Sequence, residues 1–126
     1  MVLIIGGAYQ GKLDYALKRF GLKKGDVYFC SDIDAASPHG KKIIYEVDKW
    51  ILALTREGGN VTEKIASFIA ENVDAIVICN DISSGVVPID PILRSWREEV
   101  GRAVGCLAQN SDEVVRLFCT IPTRIK

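Results

Sequence analysis

The stretch Val2-Leu3-Ile4-Ile5-Gly6-Gly7-Ala8-Tyr9-Gln10-Gly11-Lys12-Leu13 decides how this chain is read. Four apolar, mostly branched residues form a strand candidate, glycines interrupt it, and a helical period runs from Lys12 to about Phe20. Gly6, Gly11 and Lys12 satisfy the G-x-x-x-x-G-K spacing of a phosphate-binding loop, or P-loop. In such a loop backbone N–H groups cradle phosphate, the lysine reaches the β and γ phosphates, and a following Ser or Thr hydroxyl holds Mg²⁺. A turn that only joins strand to helix has no use for a lysine directly after its last glycine, whereas phosphate charge does. The expectation is nucleotide binding through Gly6, Gly7, Ala8, Tyr9, Gln10, Gly11, Lys12 and Leu13. Leu13 offers no oxygen, so no metal ligand is assigned to the loop and the sequence speaks against ordinary Mg²⁺-dependent phosphoryl transfer.

Working outward, apolar β-branched runs recur at residues 27–30, 43–45, 75–79 and 114–119, each bounded by Gly, Asp, Asn or Pro. Helical periods lie between most of them. Val47, Trp50, Ile51 and Leu54 share one face, as do Ile65, Phe68 and Ile69. Asn60 with Glu63 resembles a capping box, and Gly58-Gly59 closes the preceding helix. The longest helix is expected to begin at Asp90-Pro91, a cap followed by proline at the first helical position, and to end near Asn110. Its buried stripe is Leu93, Trp96, Val100, Val104 and Leu107. Alternating strands and helices, with near-continuous apolar strands, predict a single-domain α/β chain: a P-loop NTPase-like, mostly parallel sheet with helices on both faces.

The 126 residues, 48% hydrophobic and 25% charged, are ordinary for one globular domain. Sixteen basic side chains balance sixteen acidic ones without a run of like charge, which disfavours nucleic acid or anionic lipid as a partner. The apolar start has no basic region before it and is too short for a signal peptide or a membrane span, so the expected location is the cytoplasm. Cys30, Cys79, Cys106 and Cys119 form no C-x-x-C pair and read as buried free thiols rather than a zinc site or disulfide framework.

A carboxylate beside the phosphates would come from the end of a neighbouring strand. Asp81, after Ile76-Val77-Ile78-Cys79-Asn80, is the first candidate, and Glu46 and Asp48 are the alternatives; each also suits a helix or turn cap. His39, the only histidine, lies in the turn-like Ser37-Pro38-His39-Gly40 with no partner nearby and reads as an exposed loop residue. Arg94, Arg97 and Arg102 flank the stripe of the long helix, either as a solvated face or with Arg94 or Arg97 reaching a phosphate or another subunit.

Taken together, these segments resemble the bifunctional adenosylcobinamide kinase / adenosylcobinamide-phosphate guanylyltransferase family of cobalamin biosynthesis. Asn80-Asp81-Ile82-Ser83-Ser84-Gly85-Val86-Val87-Pro88 is similar to that family's N-E-V-G-x-G-I-V-P. Arg94-Ser95-Trp96-Arg97-Glu98-Glu99-Val100-Gly101-Arg102 resembles its R-R-F-R-D-x-x-G-R, and the ending Ile121-Pro122-Thr123-Arg124-Ile125-Lys126 its I-P-L-R-L-K. The family's loop is G-G-x-R-S-G-K-S, against which Tyr9, Gln10 and Leu13 replace an arginine and two serines. Its D-C-L-T-L-W, aligned on Trp50, puts Tyr45 where the aspartate would stand, with Glu46 displaced by one. The arginine-flanked histidine that accepts the guanylyl group has no counterpart in residues 31–42.

The resemblance implies ATP or GTP as the nucleotide and a corrinoid, adenosylcobinamide, as acceptor. The γ-phosphoryl group would pass to the hydroxyl of its aminopropanol arm, with Lys12 and Asp81 as catalytic residues. It also implies a homo-oligomer. The alternative from another class is a degenerate P-loop homologue that binds nucleotide or corrinoid, or assembles with a partner, without catalysis.

Overall fold

The computed structural model describes residues 1–82 and 88–126. Strand β1 (Val2–Gly6) leads through the glycine loop into helix α1 (Lys12–Phe20), and a 3-10 turn (Lys24–Asp26) into β2 (Val27–Phe29). Then follow β3 (Ile43–Tyr45), α2 (Val47–Glu57), α3 (Val61–Glu71), β4 (Ile76–Asn80), α4 (Pro91–Asn110), β5 (Glu113–Phe118) and β6 (Ile121–Arg124). The six strands form one sheet in the order β2-β3-β4-β1-β5-β6. All neighbours are parallel except the antiparallel β5–β6 pair. The α/β, mostly parallel expectation is met, and the five strands and four helices expected from the sequence are present within a residue or two.

Residue alternation sends the two faces of the sheet to different cores. Leu3, Ile44, Val77 and Val114 meet Trp50, Ile51, Phe68, Val100 and Leu107 of α2, α3 and α4. The Trp50 and Phe68 rings lie 5.2 Å apart at this centre. Burying aromatic bodies of this size contributes roughly 1.5–3 kcal/mol each. Ile4, Ile43, Ile78, Val115 and Leu117 point the other way, where α1 alone supplies Ala16, Leu13 and Leu17.

The helix ends follow their local chemistry. Asp90 accepts from Ile92 N at 2.8 Å, with Pro91 in the first turn, and Asn60 accepts from Glu63 N at 3.1 Å. Gly21 and Gly58 close α1 and α2 in the left-handed conformation. The stripe of α4 is shifted from its expected phase: Val100, Ala103 and Leu107 are the buried positions, and Trp96 and Val104 pack at their margin.

Two expectations need correction. The strand β6 is not signalled by periodicity, because every one of its residues is exposed at the sheet edge and Pro122 sits within it. Of the four free thiols only Cys30 and Cys79 are buried; Cys106 is half-buried and Cys119 is exposed, since it occupies the β5–β6 turn and not the strand. Among the described residues, no helix is long and apolar enough to cross a membrane.

Candidate nucleotide site

The loop lies at the carboxyl end of β1, in the centre of the sheet. Gly6 pairs with Asn80, and its carbonyl accepts from Asp81 N at 2.7 Å, so the ends of β1 and β4 are fixed together beneath it. A Cβ on Gly6 would stand 2.5 Å from the Leu117 carbonyl oxygen, so only glycine allows β5 this close. Gly11 (φ 79°) is the N-cap of α1 and provides no side-chain cap. The first amides of α1 therefore face the loop without a side-chain acceptor, which is the arrangement that suits an anion.

Lys12 is buried at the first position of α1, and its Nζ donates to the Gly7 carbonyl at 2.5 Å. The ammonium closes back on the loop it would share with phosphate. Burial lowers its pKa, and the charges of Asp48 and Glu46 offset this only in part. Asp48 is buried at the start of α2, its pKa raised by desolvation and lowered by hydrogen bonds from Asn80. Asn80 donates its backbone N–H to Asp48 Oδ1 (3.0 Å) and its Nδ2 to Glu46 Oε2 (3.0 Å) and Asp48 Oδ2 (3.3 Å). Glu46 holds a left-handed backbone (φ 58°), which turns its carboxylate toward Asn80 and Lys49.

The structure thus gathers Glu46 and Asp48, the alternatives to Asp81, on Asn80, where their charge acts on Lys12. Asp81 follows β4 and lines a cavity of about 210 Å³ with Ile5, Asn80, Arg97 and Val104, between the sheet and α4. Residues 83–87 of the Asn80–Pro88 motif lie outside the described residues. The Leu13 side chain packs into the core beneath α1, so it contributes neither oxygen nor charge to the loop. The loop's glycines, amides and lysine fit phosphate groups. Among the described residues, no three His, Cys, Asp or Glu side chains converge on a metal position.

The loop's other flank is the β5–β6 turn, which periodicity could not reveal. Gln10 Oε1 accepts from Cys119 N at 2.5 Å, and the Thr120 methyl lies 3.2 Å from where a Cβ of Gly11 would be. Cys119 and Thr120 both hold positive φ (51° and 64°), the geometry of a two-residue hairpin turn that normally selects Asn-Gly. The usual composition signal was absent.

His39 is exposed, its Nδ1 3.0 Å from Ser37 O, in the segment that enters the amino end of β3. The loop is at the opposite, carboxyl edge of the sheet. Trp96 donates Nε1–H to the Asp48 carbonyl at 2.8 Å, which makes it an intrachain brace for the acidic segment. Arg94 is exposed and Arg97 lines the cavity with Asp81.

A search of curated proteins returns no match. The family model described as cobinamide kinase / cobinamide phosphate guanyltransferase matches residues 33–125, which includes the acidic segment, β4, α4 and the β5–β6 hairpin and leaves the loop at 6–13 outside. With the match covering most of the chain, and the P-loop supplied by the geometry just described, the chain belongs to the cobinamide kinase / cobinamide phosphate guanyltransferase family.

Proposed function

We propose that this chain binds ATP or GTP at residues 6–13 and transfers the γ-phosphoryl group to the hydroxyl of the corrinoid's aminopropanol arm. The observation that carries the reading is the buried Lys12 ammonium, which donates to the Gly7 carbonyl at the edge of the sheet where Asn80 gathers the Asp48 and Glu46 carboxylates. In this reaction the acceptor oxygen bonds to the γ-phosphorus and gives up its proton to solvent, the bond to the β–γ bridging oxygen breaks, and the nucleoside diphosphate leaves. Lys12 and the loop amides would stabilise the charge on the transferring group. Asp81, which lines the cavity and is tied through its backbone N–H to the Gly6 carbonyl at the end of β1, would orient the attacking hydroxyl. No step runs through His39, and no covalent guanylyl intermediate is expected there. Homo-oligomer formation through the exposed Ile92 and Arg94 of α4 belongs to the same proposal.

A second reading, binding without turnover, is favoured by one observation: the Leu13 side chain is committed to the core, where the family places a serine. Isothermal titration with ATP and GTP, with and without Mg²⁺, combined with transfer of labelled γ-phosphate to cobinamide, separates the two. Saturable binding that Lys12→Ala abolishes, with labelled cobinamide phosphate formed, supports the kinase. Binding without transfer supports the second reading, and no binding at millimolar nucleotide refutes both.

A further inference from the structure

Beside the loop, on the side of β3, three aromatic side chains occupy the carboxyl edge of the sheet. Phe29 and Tyr45 are register partners at the ends of β2 and β3, their rings edge to face with centroids 5.7 Å apart. Phe29 is 55% exposed although it ends a strand. Tyr9 projects from the loop itself with its side chain wholly in solvent, and it does so at φ 60°, a conformation an aromatic residue rarely adopts. The Tyr45 hydroxyl is kept from ionising first by burial and next by the charge of Glu46.

Nothing in the fold requires this arrangement. α1 covers the centre of this sheet face, where its residues pack on β1 and β4, and it leaves Phe29 at the far strand uncovered. Strained backbone and an exposed aromatic ring placed on a phosphate loop are features that a ligand explains and packing does not. Tyr45 ends β3 directly before Glu46 and Asp48, which Asn80 holds beside the end of β4. The opposite flank is closed by Gln10 against Cys119.

We propose that Tyr9, Tyr45 and Phe29 form the acceptor platform, on which the broad conjugated ring of the corrinoid packs on the freely turning Tyr9 ring and on the exposed Phe29 ring, with Tyr45 set edge to face behind Phe29, while its hydroxyl-bearing arm reaches toward Lys12. The inference rests on the kinase reading above and specifies which surface takes the acceptor. Tyr9 stands where the family's loop carries an arginine, so in this chain the loop contributes a flat ring to the acceptor in place of a charge to the phosphates. Aromatic stacking tolerates changes in the polar periphery of a ligand and depends on ring area.

The test is equilibrium dialysis of cobinamide, the probe, against wild type, Tyr9→Ala, Tyr9→Phe and Phe29→Ala, with ATP titrated in parallel. Tyr9→Ala is expected to weaken cobinamide binding by at least about tenfold more than it weakens ATP binding, and Tyr9→Phe to retain it, because the ring is what stacks. Phe29→Ala is expected to weaken cobinamide binding and leave ATP binding unchanged. Wild-type cobinamide affinity in Tyr9→Ala and Phe29→Ala would overturn the platform and leave the kinase reading standing. Equal loss of ATP and cobinamide in Tyr9→Ala would overturn it by assigning Tyr9 to the phosphate loop alone. A wild-type chain that binds ATP through Lys12 but no cobinamide would refute the platform and the acceptor together and keep the nucleotide site.

Discussion

Replacing Gly6 by alanine probes whether the first loop glycine is demanded by the sheet or by a nucleotide. The added Cβ would stand 2.5 Å from the Leu117 backbone oxygen, closer than real Cβ contacts come, and that oxygen belongs to a β5 strand locked in register with β1. The carbonyl cannot rotate away as a flexible side chain would. Overpacking of this kind costs about 1–3 kcal/mol. Placing an L-residue at φ +156° adds roughly 1–3 kcal/mol. The sum is about 2–6 kcal/mol against a total stability of about 5–15 kcal/mol for an ordinary domain.

At roughly 2.1 cal/mol/K of unfolding entropy per residue, a chain of this length loses about 4 °C of Tm per kcal/mol. Gly6→Ala should therefore melt about 8–24 °C below wild type in thermal circular dichroism, with no nucleotide present. Gly105→Ala is the control of opposite sign. Gly105 lies inside α4 with open space around its Cβ position, and removing the helical glycine should raise Tm by about 2–4 °C. A Gly6→Ala protein melting within about 3 °C of wild type would refute the reasoning, because it would mean that β1 and β5 do not approach as closely as described.

Thr120→Gly should raise stability by about 0.5–1 kcal/mol, since a β-branched residue at φ 64° is strained and glycine is not; a lowered Tm would show that the methyl contact with Gly11 outweighs the strain. In the native protein Cys119 should react rapidly with Ellman's reagent, while Cys30, whose thiol is pushed up to about 12 chiefly by burial, and the fully buried Cys79 should react only on denaturation. Equal rates for all four thiols before unfolding would contradict the burial pattern.

Much of this was legible in the chain because it is written in local residue order. The loop's Gly6, Gly11 and Lys12 are contiguous with the strand and helix they join, and helix limits at Asp90-Pro91, Asn60 and Gly58 follow from backbone groups that cap residues satisfy within one turn. The core faces of α2 and α3 followed from a 3.6-residue period that holds whatever the helices pack against.

What only the tertiary structure decided concerns residues far apart in sequence. A strand-end argument selects Asp81 first, with Glu46 and Asp48 as alternatives; that Glu46 and Asp48 are gathered on one side chain, Asn80, follows only from the pairing of β3 with β4. The sign of a charge is a local property; which lysine it faces depends on strand order. Likewise Gln10 looked only like a lost serine until β6 folded back and brought the Cys119 amide to it, 109 residues away. An edge strand exposed on both faces has no hydrophobic period to announce it. Strand order also separates His39 from the loop, since a residue entering the amino end of a parallel strand stands at the edge of the sheet opposite the site.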